Sequence, residues 1–312
     1  MNYKILCSVF FVIILVGVIF GTSMSLYINI YDPEWYGIFS NNSSLDNTKK
    51  KIFLIGSSTV YSIDSTYLNN ELSLNGKNYE MYNLADMSDT PEKRLQSLSN
   101  ILSHNPDIIV YGLDIKFFKP SSKNELSLYE LILHPKNLFE NNFNNIIDPL
   151  REKIPGSPKD RTLHTLKYIL FGPQPHHHPF INFSETSITP ISQLPALDDD
   201  TNLSRLNLSE NSKQMLSFKK LISEFKKNDI KIIVFSTPYH KTSISENDVE
   251  LFEEMLEEFS NKNSIPVYFF HEKYSEMEIW RDNIHIAINK DVQIYTNDIL
   301  EILLKEMNNS VI

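Results

Sequence analysis

Hydroxyl, carboxylate and imidazole side chains that suit nucleophilic catalysis occur near the two ends of this 312-residue chain. Gly56-Ser57-Ser58 directly follows Ile52–Ile55, an apolar run of strand length, within the segment KIFLIGSSTVYSID. Much later, Asp282 and His285 are separated by two residues. Glycine and serine suit a turn for local reasons, and a serine hydrolase places its nucleophile at the same kind of position. The surrounding elements must decide between these interpretations.

An alternation of strand and helix patterns predicts the scaffold. Short apolar runs that indicate buried strands occupy Lys51–Ile55, Tyr79–Leu84, Asp107–Leu113, Ile230–Ser236 and Pro266–Phe270. Helical spacing of apolar residues predicts helices at Pro91–Ser103, Lys213–Asn228, Glu246–Asn263 and Lys290–Met307. Strands that alternate with helices form a mostly parallel sheet covered on both faces. The predicted fold class is therefore α/β, with three layers in the order α/β/α.

Polar residues and glycines follow the predicted strands, at the edge where functional groups of open parallel sheets collect. In chain order these segments are Gly56–Ser58, Asn83–Ser88, Gly112–Asp114, Thr237–His240 and Trp280–His285. Because the carboxyl ends of parallel strands meet at one edge, we expect these segments to contribute to one site.

This set of segments resembles the SGNH (GDSL-type) hydrolase superfamily. In that superfamily the nucleophilic serine closes a Gly-Asp-Ser motif after the first strand, and a glycine and an asparagine from the next two blocks help to form the oxyanion hole. An Asp-x-x-His motif near the end supplies the acid and the histidine. The resemblance covers most of residues 50–312 and implies an SGNH/flavodoxin-like fold. It also implies that Ser58 is the nucleophile, with Asp282 and His285 as its catalytic partners.

The chemistry of these residues agrees with the roles that the resemblance implies. Serine is a poor nucleophile until a base takes its proton, which His285 is placed to do. Asp282 then holds the imidazole in the correct tautomer and stabilises the imidazolium. Ser58, at a strand end before a helix, also has backbone N–H groups nearby for a developing oxyanion. The Gly-x-Ser-x-Gly elbow of α/β-hydrolases is absent, because Val60 stands where its second glycine belongs.

Other residues are expected to line the site or its oxyanion hole, and two of them depart from the family pattern. The full set is Ser88, Gly112, Asp114, Asn83 and His240. Ser88 stands where the second block has glycine, and Asp114 stands where the third block has asparagine. An ionised carboxylate repels a developing oxyanion, so we expect Asp114 to cap a helix or to accept structural hydrogen bonds. For His240 a place on a surface loop is an equal alternative.

The N-terminal residues predict a membrane segment. No residue from Ile5 to Ile30 is charged, and about 20 apolar residues suffice to span a bilayer as a helix. Residues 1–25 are expected to form a transmembrane anchor, with a cleaved signal peptide as the alternative. Residues 26–50 form a juxtamembrane linker and residues 51–312 the SGNH-like domain, which an insertion at about 118–212 interrupts. Lys4 before the apolar segment weakly favours a single-pass protein whose body is extracytoplasmic.

Composition excludes some partners. A net charge of −10 argues against nucleic acid, which needs a basic surface. Cys7 is the only cysteine, so no disulfide within the chain and no cysteine-based zinc site is available. His176–His178 and Asp198–Asp200 lack the spacing of a metal site, and neither a metal nor a cofactor is expected.

The resemblance is nearest to membrane-anchored, extracytoplasmic members of the superfamily, which act in acylation or deacylation of cell-surface polymers. It implies a serine esterase or O-acyltransferase whose substrate is an acylated surface glycan or glycolipid, with a membrane acyltransferase as a further expected partner. The sequence leaves open whether water or a sugar hydroxyl accepts the acyl group. The alternative is a catalytically degenerate domain that binds glycans or scaffolds a membrane acylation complex, which Asp114 and Ser88 favour.

Overall fold

The structure, a computed structural model, describes most of the predicted α/β domain. The described residues are 48–86, 89–119, 185–194, 206–240 and 245–309, together with 11, 12 and 16. The chain divides into two compact units, and all elements named below belong to the unit formed by Ser44–Pro120 and Pro179–Ile312. Among the described residues no helix is long and apolar enough to cross a bilayer. Most of the predicted anchor, linker and insertion lies outside the described residues.

Five parallel strands form one sheet in the order β2-β1-β3-β4-β5, which is a flavodoxin-like order. The strands are β1 (Lys50–Gly56), β2 (Tyr79–Asn83), β3 (Ile108–Leu113), β4 (Lys231–Ser236) and β5 (Val267–Phe269). Each strand begins and ends within one residue of its predicted bounds. The predicted α/β class with a parallel sheet is confirmed.

Within the described residues from 48 onwards, six α-helices accompany the sheet. They are α1 (Ser65–Leu74), α2 (Pro91–Gln96), α3 (Leu98–Ser103), α4 (Lys213–Lys227), α5 (Glu246–Asn263) and α6 (Ile294–Asn308). Most begin after a side chain that accepts a backbone N–H bond of the first turn, as Asp64 does for α1 and Ser245 for α5. Alternate strand residues face opposite helices, since Leu54 and Val110 pack in one core with α1 and α6, whereas Tyr111 packs on Phe218 of α4. This alternation gives the three layers.

Two predicted helices were wrong in their bounds. The expected helix Pro91–Ser103 is divided at Ser97, whose hydroxyl donates to the carbonyl of Arg94 at 3.1 Å and so competes with the helical pattern. The last helix begins four residues later than Lys290, because Asn289 forms a turn in which its side chain accepts from the N–H of Asp291 at 2.9 Å.

A buried ion pair fixes the segment that follows β2. Arg94 donates to Asp89 at 2.8 Å through Nε and to the carbonyl of Leu84 at 3.1 Å, and both charged side chains are at most 3% exposed. Asp86 in the same segment donates its N–H to the carbonyl of Gly56 at 3.0 Å, beside the predicted nucleophile. Burial raises the pKa of Asp89 to about 6, against the attraction of Arg94, which lowers it.

Replacing Arg94→Leu should lower the free energy of unfolding by about 3–5 kcal/mol at pH 8, because Asp89 then keeps a buried charge without its partner. Because the pKa of Asp89 is about 6 with the guanidinium present and rises further without it, Asp89 is mostly protonated at pH 5 in both proteins, and the loss should be smaller there. Urea denaturation at the two pH values measures both effects.

Lys93→Gln is the matched control, since it removes the neighbouring ion pair of Lys93 with Asp86, in which Lys93 is 47% exposed. It should cost less than about 1 kcal/mol at either pH. Equal losses for the two variants, or a loss for Arg94→Leu that does not change with pH, would contradict this account of the pair.

Candidate active site

The nucleophile turn begins where β1 ends. Gly56 has φ +152°, and a Cβ there would lie 2.8 Å from the carbonyl oxygen of Gly112 on the adjacent strand. A 3-10 turn at Ser58–Val60 follows at once, and Ser57 caps it by accepting the N–H of Thr59 at 3.3 Å. The hydroxyls of Ser57 and Thr59 are also 2.8 Å apart, and both side chains are buried. The hydroxyl of Ser57 is thus engaged within its own turn, which leaves Ser58 as the serine available for chemistry.

Ser58, His285 and Asp282 form a continuous chain of hydrogen bonds. Ser58 Oγ lies 2.8 Å from His285 Nε2, and His285 Nδ1 lies 2.8 Å and 2.9 Å from the two carboxylate oxygens of Asp282. A proton on Nδ1 that is held by the carboxylate leaves Nε2 free to accept the hydroxyl proton of Ser58. The structure therefore brings together the three residues that the sequence predicts to be catalytic, in the order that base catalysis requires.

The carboxylate of Asp282 is held in its ionised form. Partial burial by itself raises the pKa of Asp282, but hydrogen bonds from His285, from the backbone N–H of Ile284 and from Arg281 outweigh this effect and hold the pKa well below its usual range. Arg281 Nε lies 3.0 Å from Asp282 Oδ2. Arg281 was not singled out from the sequence, although its position directly before Asp282 was a signal that the two could pair.

A short hairpin-like loop carries Asp282 and His285. Trp280 and Ile286 form an isolated β-bridge at its base, and the N–H of Arg281 donates to the carbonyl of His285 at 2.9 Å. We call residues 280–286 the triad loop. Trp280 anchors it from below, since its side chain is fully buried and its indole N–H donates to the carbonyl of Tyr274 at 3.2 Å. The triad loop is therefore held by tertiary contacts and not by a helix or an extended strand.

Asp114 takes the structural role expected of it. It caps the 3-10 turn Ile115–Phe118 by accepting the N–H of Lys116 at 2.9 Å. Burial raises the pKa of Asp114, while that hydrogen bond, the positive charge of Lys116 and the electrostatic interaction with His285 oppose the rise. Lys116 also interacts electrostatically with Asp282, and burial lowers the pKa of Lys116 despite this attraction. Lys116, which was not singled out from the sequence, is thus one of the charged residues of the site.

Two residues predicted to line the site support it from within the fold instead. Both amide N–H groups of Asn83 are used, on the carbonyls of Val60 at 3.0 Å and Ile63 at 3.1 Å, so Asn83 braces the nucleophile turn and has no donor left for an oxyanion. Gly112 is a packing position, because a Cβ there would lie 2.6 Å from Val60 and 2.8 Å from Phe235. These contacts give Asn83 a bracing role and Gly112 a packing role beside the site.

His240 lies neither on a surface loop nor at the open edge of the site. It is 1% exposed, and its ring meets Trp280 edge-on with centroids 6.0 Å apart. Its backbone N–H donates to the carbonyl of Asn283 at 3.0 Å. His240 thus ties the end of β4 to the triad loop.

The oxyanion position has one identifiable donor in the part of the chain that the structure describes. The backbone N–H of Ser58 is the first of its 3-10 turn, and it makes no hydrogen bond within the described residues. Ser88, predicted to contribute here, lies outside the described residues.

His176–His178 and Asp198–Asp200 also lie outside the described residues. Within the described residues no group of three or more His, Cys, Asp or Glu side chains could hold a metal.

Comparison with known proteins gives matches to solved structures alone. No family model matches the chain, and no curated protein matches it. TesA is 10% identical with a TM-score of 0.41, over 81% of this chain and 94% of its own. The esterase EstA from Pseudoalteromonas sp. is 10% identical with a TM-score of 0.40, over 84% and 100%. A GDSL-like lipase from Bacteroides thetaiotaomicron is 12% identical with a TM-score of 0.40, over 90% and 99%.

All three TM-scores are below 0.5, so the functional proposal rests on the side-chain geometry of the site. In its motifs, its parallel sheet and its Ser58–His285–Asp282 arrangement, the chain resembles the SGNH (GDSL-type) hydrolases.

Proposed function

We propose that this chain is a serine hydrolase or acyltransferase of the SGNH type that acts on carboxylic esters. The observation that carries the proposal is the pair of 2.8 Å contacts that link Ser58 to His285, which lies 227 positions away in the sequence, and His285 to Asp282. A histidine with a purely structural role at a surface loop would not require a serine hydroxyl on one ring nitrogen and an ionised carboxylate on the other. The combination is what activation of a serine nucleophile requires.

The geometry supports a two-step reaction. Ser58 Oγ attacks the ester carbonyl while His285 Nε2 takes the hydroxyl proton, and the N–H of Ser58 faces the developing oxyanion. The tetrahedral intermediate collapses as His285 returns the proton to the departing alcohol, which leaves an acyl group on Ser58. In the second step His285 takes a proton from the incoming acceptor, whose oxygen attacks the acyl group, and His285 then returns this proton to Ser58 Oγ as the acyl–serine bond breaks. Asp282 stays ionised throughout and stabilises the imidazolium.

The second step distinguishes an esterase from an O-acyltransferase. Water as the acceptor gives hydrolysis, whereas a sugar hydroxyl gives transfer, and the same three side chains serve both. The proposed substrate is an acyl ester of a surface glycan or glycolipid, with a membrane acyltransferase as a partner in the transfer reaction. The resemblance of the motifs to membrane-anchored superfamily members supports this substrate.

The chain is proposed to be a single-pass membrane protein whose body lies on the extracytoplasmic side. The uncharged stretch from Ile5 to Ile30 and the positive charge of Lys4 before it support this location. Asn-x-Ser/Thr sequences in the body are compatible with it.

A fluorophosphonate probe should label the full-length protein covalently at Ser58. Ser58→Ala should abolish labelling, because the phosphorus must bond to the activated hydroxyl. Ser57→Ala should keep it, since Ser57 only caps the turn, although loss of the cap costs about 1 kcal/mol of stability. Gel fluorescence and peptide mass spectrometry measure the labelling and its position.

Labelling that survives in Ser58→Ala and disappears in Ser57→Ala would assign the nucleophile to the other serine. If the wild-type protein is folded but is not labelled, the non-catalytic alternative replaces this proposal.

Asp114→Asn should change kcat/KM for a short-chain acyl ester at pH 7 by less than about tenfold, or roughly 1.4 kcal/mol of barrier. The reason is that the side-chain oxygen of asparagine can still accept the N–H of Lys116 and cap the turn. A carboxylate directed at the oxyanion would behave differently, because its replacement by an N–H donor typically changes rate by about 10²–10³-fold. A gain near a hundredfold would show that Asp114 suppresses the site, contrary to the capping geometry.

Supplying an O-acylated glycan and an unacylated acceptor glycan together should separate the two reactions. Hydrolysis releases free acid in proportion to enzyme, whereas transfer moves isotope-labelled acyl groups to the acceptor, and both should be lost in Ser58→Ala. Mass spectrometry of the acceptor measures transfer. A wild-type protein that turns over simple esters but neither glycan would retain the hydrolase assignment and refute the proposed substrate.

A further inference from the structure

The triad loop has a second set of supports on its outer side, which comes from the end of the predicted insertion. Residues 185–194, which we call the strap, run along this loop. The N–H of Thr189 donates to the carbonyl of Trp280 at 2.7 Å, and the hydroxyl of Thr189 donates to the carbonyl of Arg281 at 2.7 Å. One residue therefore holds the two consecutive carbonyls that directly precede Asp282.

The strap is itself fixed on both sides of Thr189. Thr186 exchanges two hydrogen bonds with Ile288, at 2.9 Å through its N–H and at 2.8 Å through its hydroxyl. The N–H of Ile191 donates to Glu278 at 3.0 Å, and Ile188, Ile191 and Leu194 pack against the core. Pro190 restricts Thr189 to an extended conformation, which keeps its N–H and hydroxyl directed at the triad loop.

The position of these bonds matters because few other contacts orient the backbone at residues 280–282. On the inner side, His240 donates to the carbonyl of Asn283, and the N–H of Arg281 donates to the carbonyl of His285. The carboxylate of Asp282 accepts from the N–H groups of Ile284 and His285 at 3.1 Å and 2.9 Å, so a rotation of the peptide between residues 281 and 282 would move the carboxylate against its own partners.

We propose that Thr189 is a positioning residue of the active site, whose hydroxyl bond to the carbonyl of Arg281 sets the orientation of Asp282 and hence of His285. This inference rests on the proposed function. Thr189 does not touch the reacting atoms, and it acts on them through the backbone that carries Asp282. The end of the insertion thereby becomes part of the catalytic scaffold.

The test compares Thr189→Val, which removes the hydroxyl and keeps the branched side chain, with Thr189→Ser, which keeps the hydroxyl. Misplacement of a catalytic group by about 1 Å can cost 10²-fold in rate, and loss of one of several supports should lower kcat about tenfold in Thr189→Val with little change in KM. Thr189→Ser should keep kcat near the wild-type value. Steady-state hydrolysis of a short-chain ester by the full-length protein measures both variants.

Thr186→Val is the matched control, because it removes the same kind of hydroxyl bond from the same segment but at Ile288, beyond the triad loop. It should lower kcat less than Thr189→Val does, because the N–H of Thr186 still donates to the carbonyl of Ile288 and holds the strap. Thr189→Ala serves as a second deletion variant, since it removes the hydroxyl without placing a methyl group against the carbonyl of Arg281. Thermal denaturation identifies which deletion variant keeps the wild-type fold.

A double-mutant cycle with Asp282→Ala separates positioning from general destabilisation. If Thr189 acts through Asp282, Thr189→Val should cause no further loss of the residual activity of Asp282→Ala, because the group it positions is already absent. An equal fractional loss in the two backgrounds would overturn the proposal. So would an unchanged kcat in a folded Thr189→Val or Thr189→Ala, or a Thr189→Ser variant as slow as Thr189→Val.

The failure of this inference is distinguishable from the failure of the proposed function. A wild-type protein that neither hydrolyses esters nor reacts with the fluorophosphonate refutes the proposed function and this inference with it. An active wild type whose activity is insensitive to the hydroxyl of Thr189 refutes the inference alone.

Discussion

The contact of 2.8 Å between Ser58 and His285 is the constraint on which the rest of the arrangement depends. It joins a turn at the end of a central strand to a loop near the end of the chain, so both must be held to within a fraction of an ångström. The nucleophile turn meets this requirement by local means, through the cap of Ser57 and the brace of Asn83. The triad loop has no regular secondary structure beyond one bridge, and it depends on contacts from three other segments.

Through those contacts several buried polar residues stabilise the site, a role that their sequence motifs do not indicate. His240 and Asn83 were candidates for direct participation in the reaction, and each instead uses its donors on backbone carbonyls that lie beside a catalytic residue. Gly112 permits β3 to approach Val60 of the nucleophile turn closely. Hydrogen bonds of this kind to backbone carbonyls keep a site rigid, because they fix the backbone on which the catalytic residues stand.

The charged groups around the triad include both carboxylates and cations, an arrangement that suits a general base at its centre. Asp282 is kept ionised by its hydrogen bonds, including those from Arg281, while the buried Asp114 has a raised pKa and caps the 3-10 turn by accepting the N–H of Lys116. Arg281 and Lys116 add positive charge near the two carboxylates. The negative charge that Asp282 directs at the imidazole is therefore shared with a neighbouring guanidinium, which distinguishes this site from one in which the carboxylate has only histidine as its partner.

Local pattern was sufficient to predict the strands and the parallel sheet, whereas Ser58, Asp282 and His285 were singled out by the resemblance of their motifs to those of the SGNH hydrolases. Apolar runs specify buried strands, and parallel strands bring their following residues to one edge whatever the remaining topology. The division of the helix at Ser97 and the late start of α6 depend on single side-chain hydrogen bonds that periodicity does not contain.

Only the tertiary structure decided which polar residues face the reaction and which support it. Asn83, Gly112 and His240 stand at the predicted edge, yet the direction of each donor depends on neighbours that are distant in sequence. Arg281 carried a weak signal through its adjacency to Asp282. Thr189 carried none, because its partners lie 91 and 92 positions away and hydrogen bonds at that separation follow from the path of the chain and not from any local pattern.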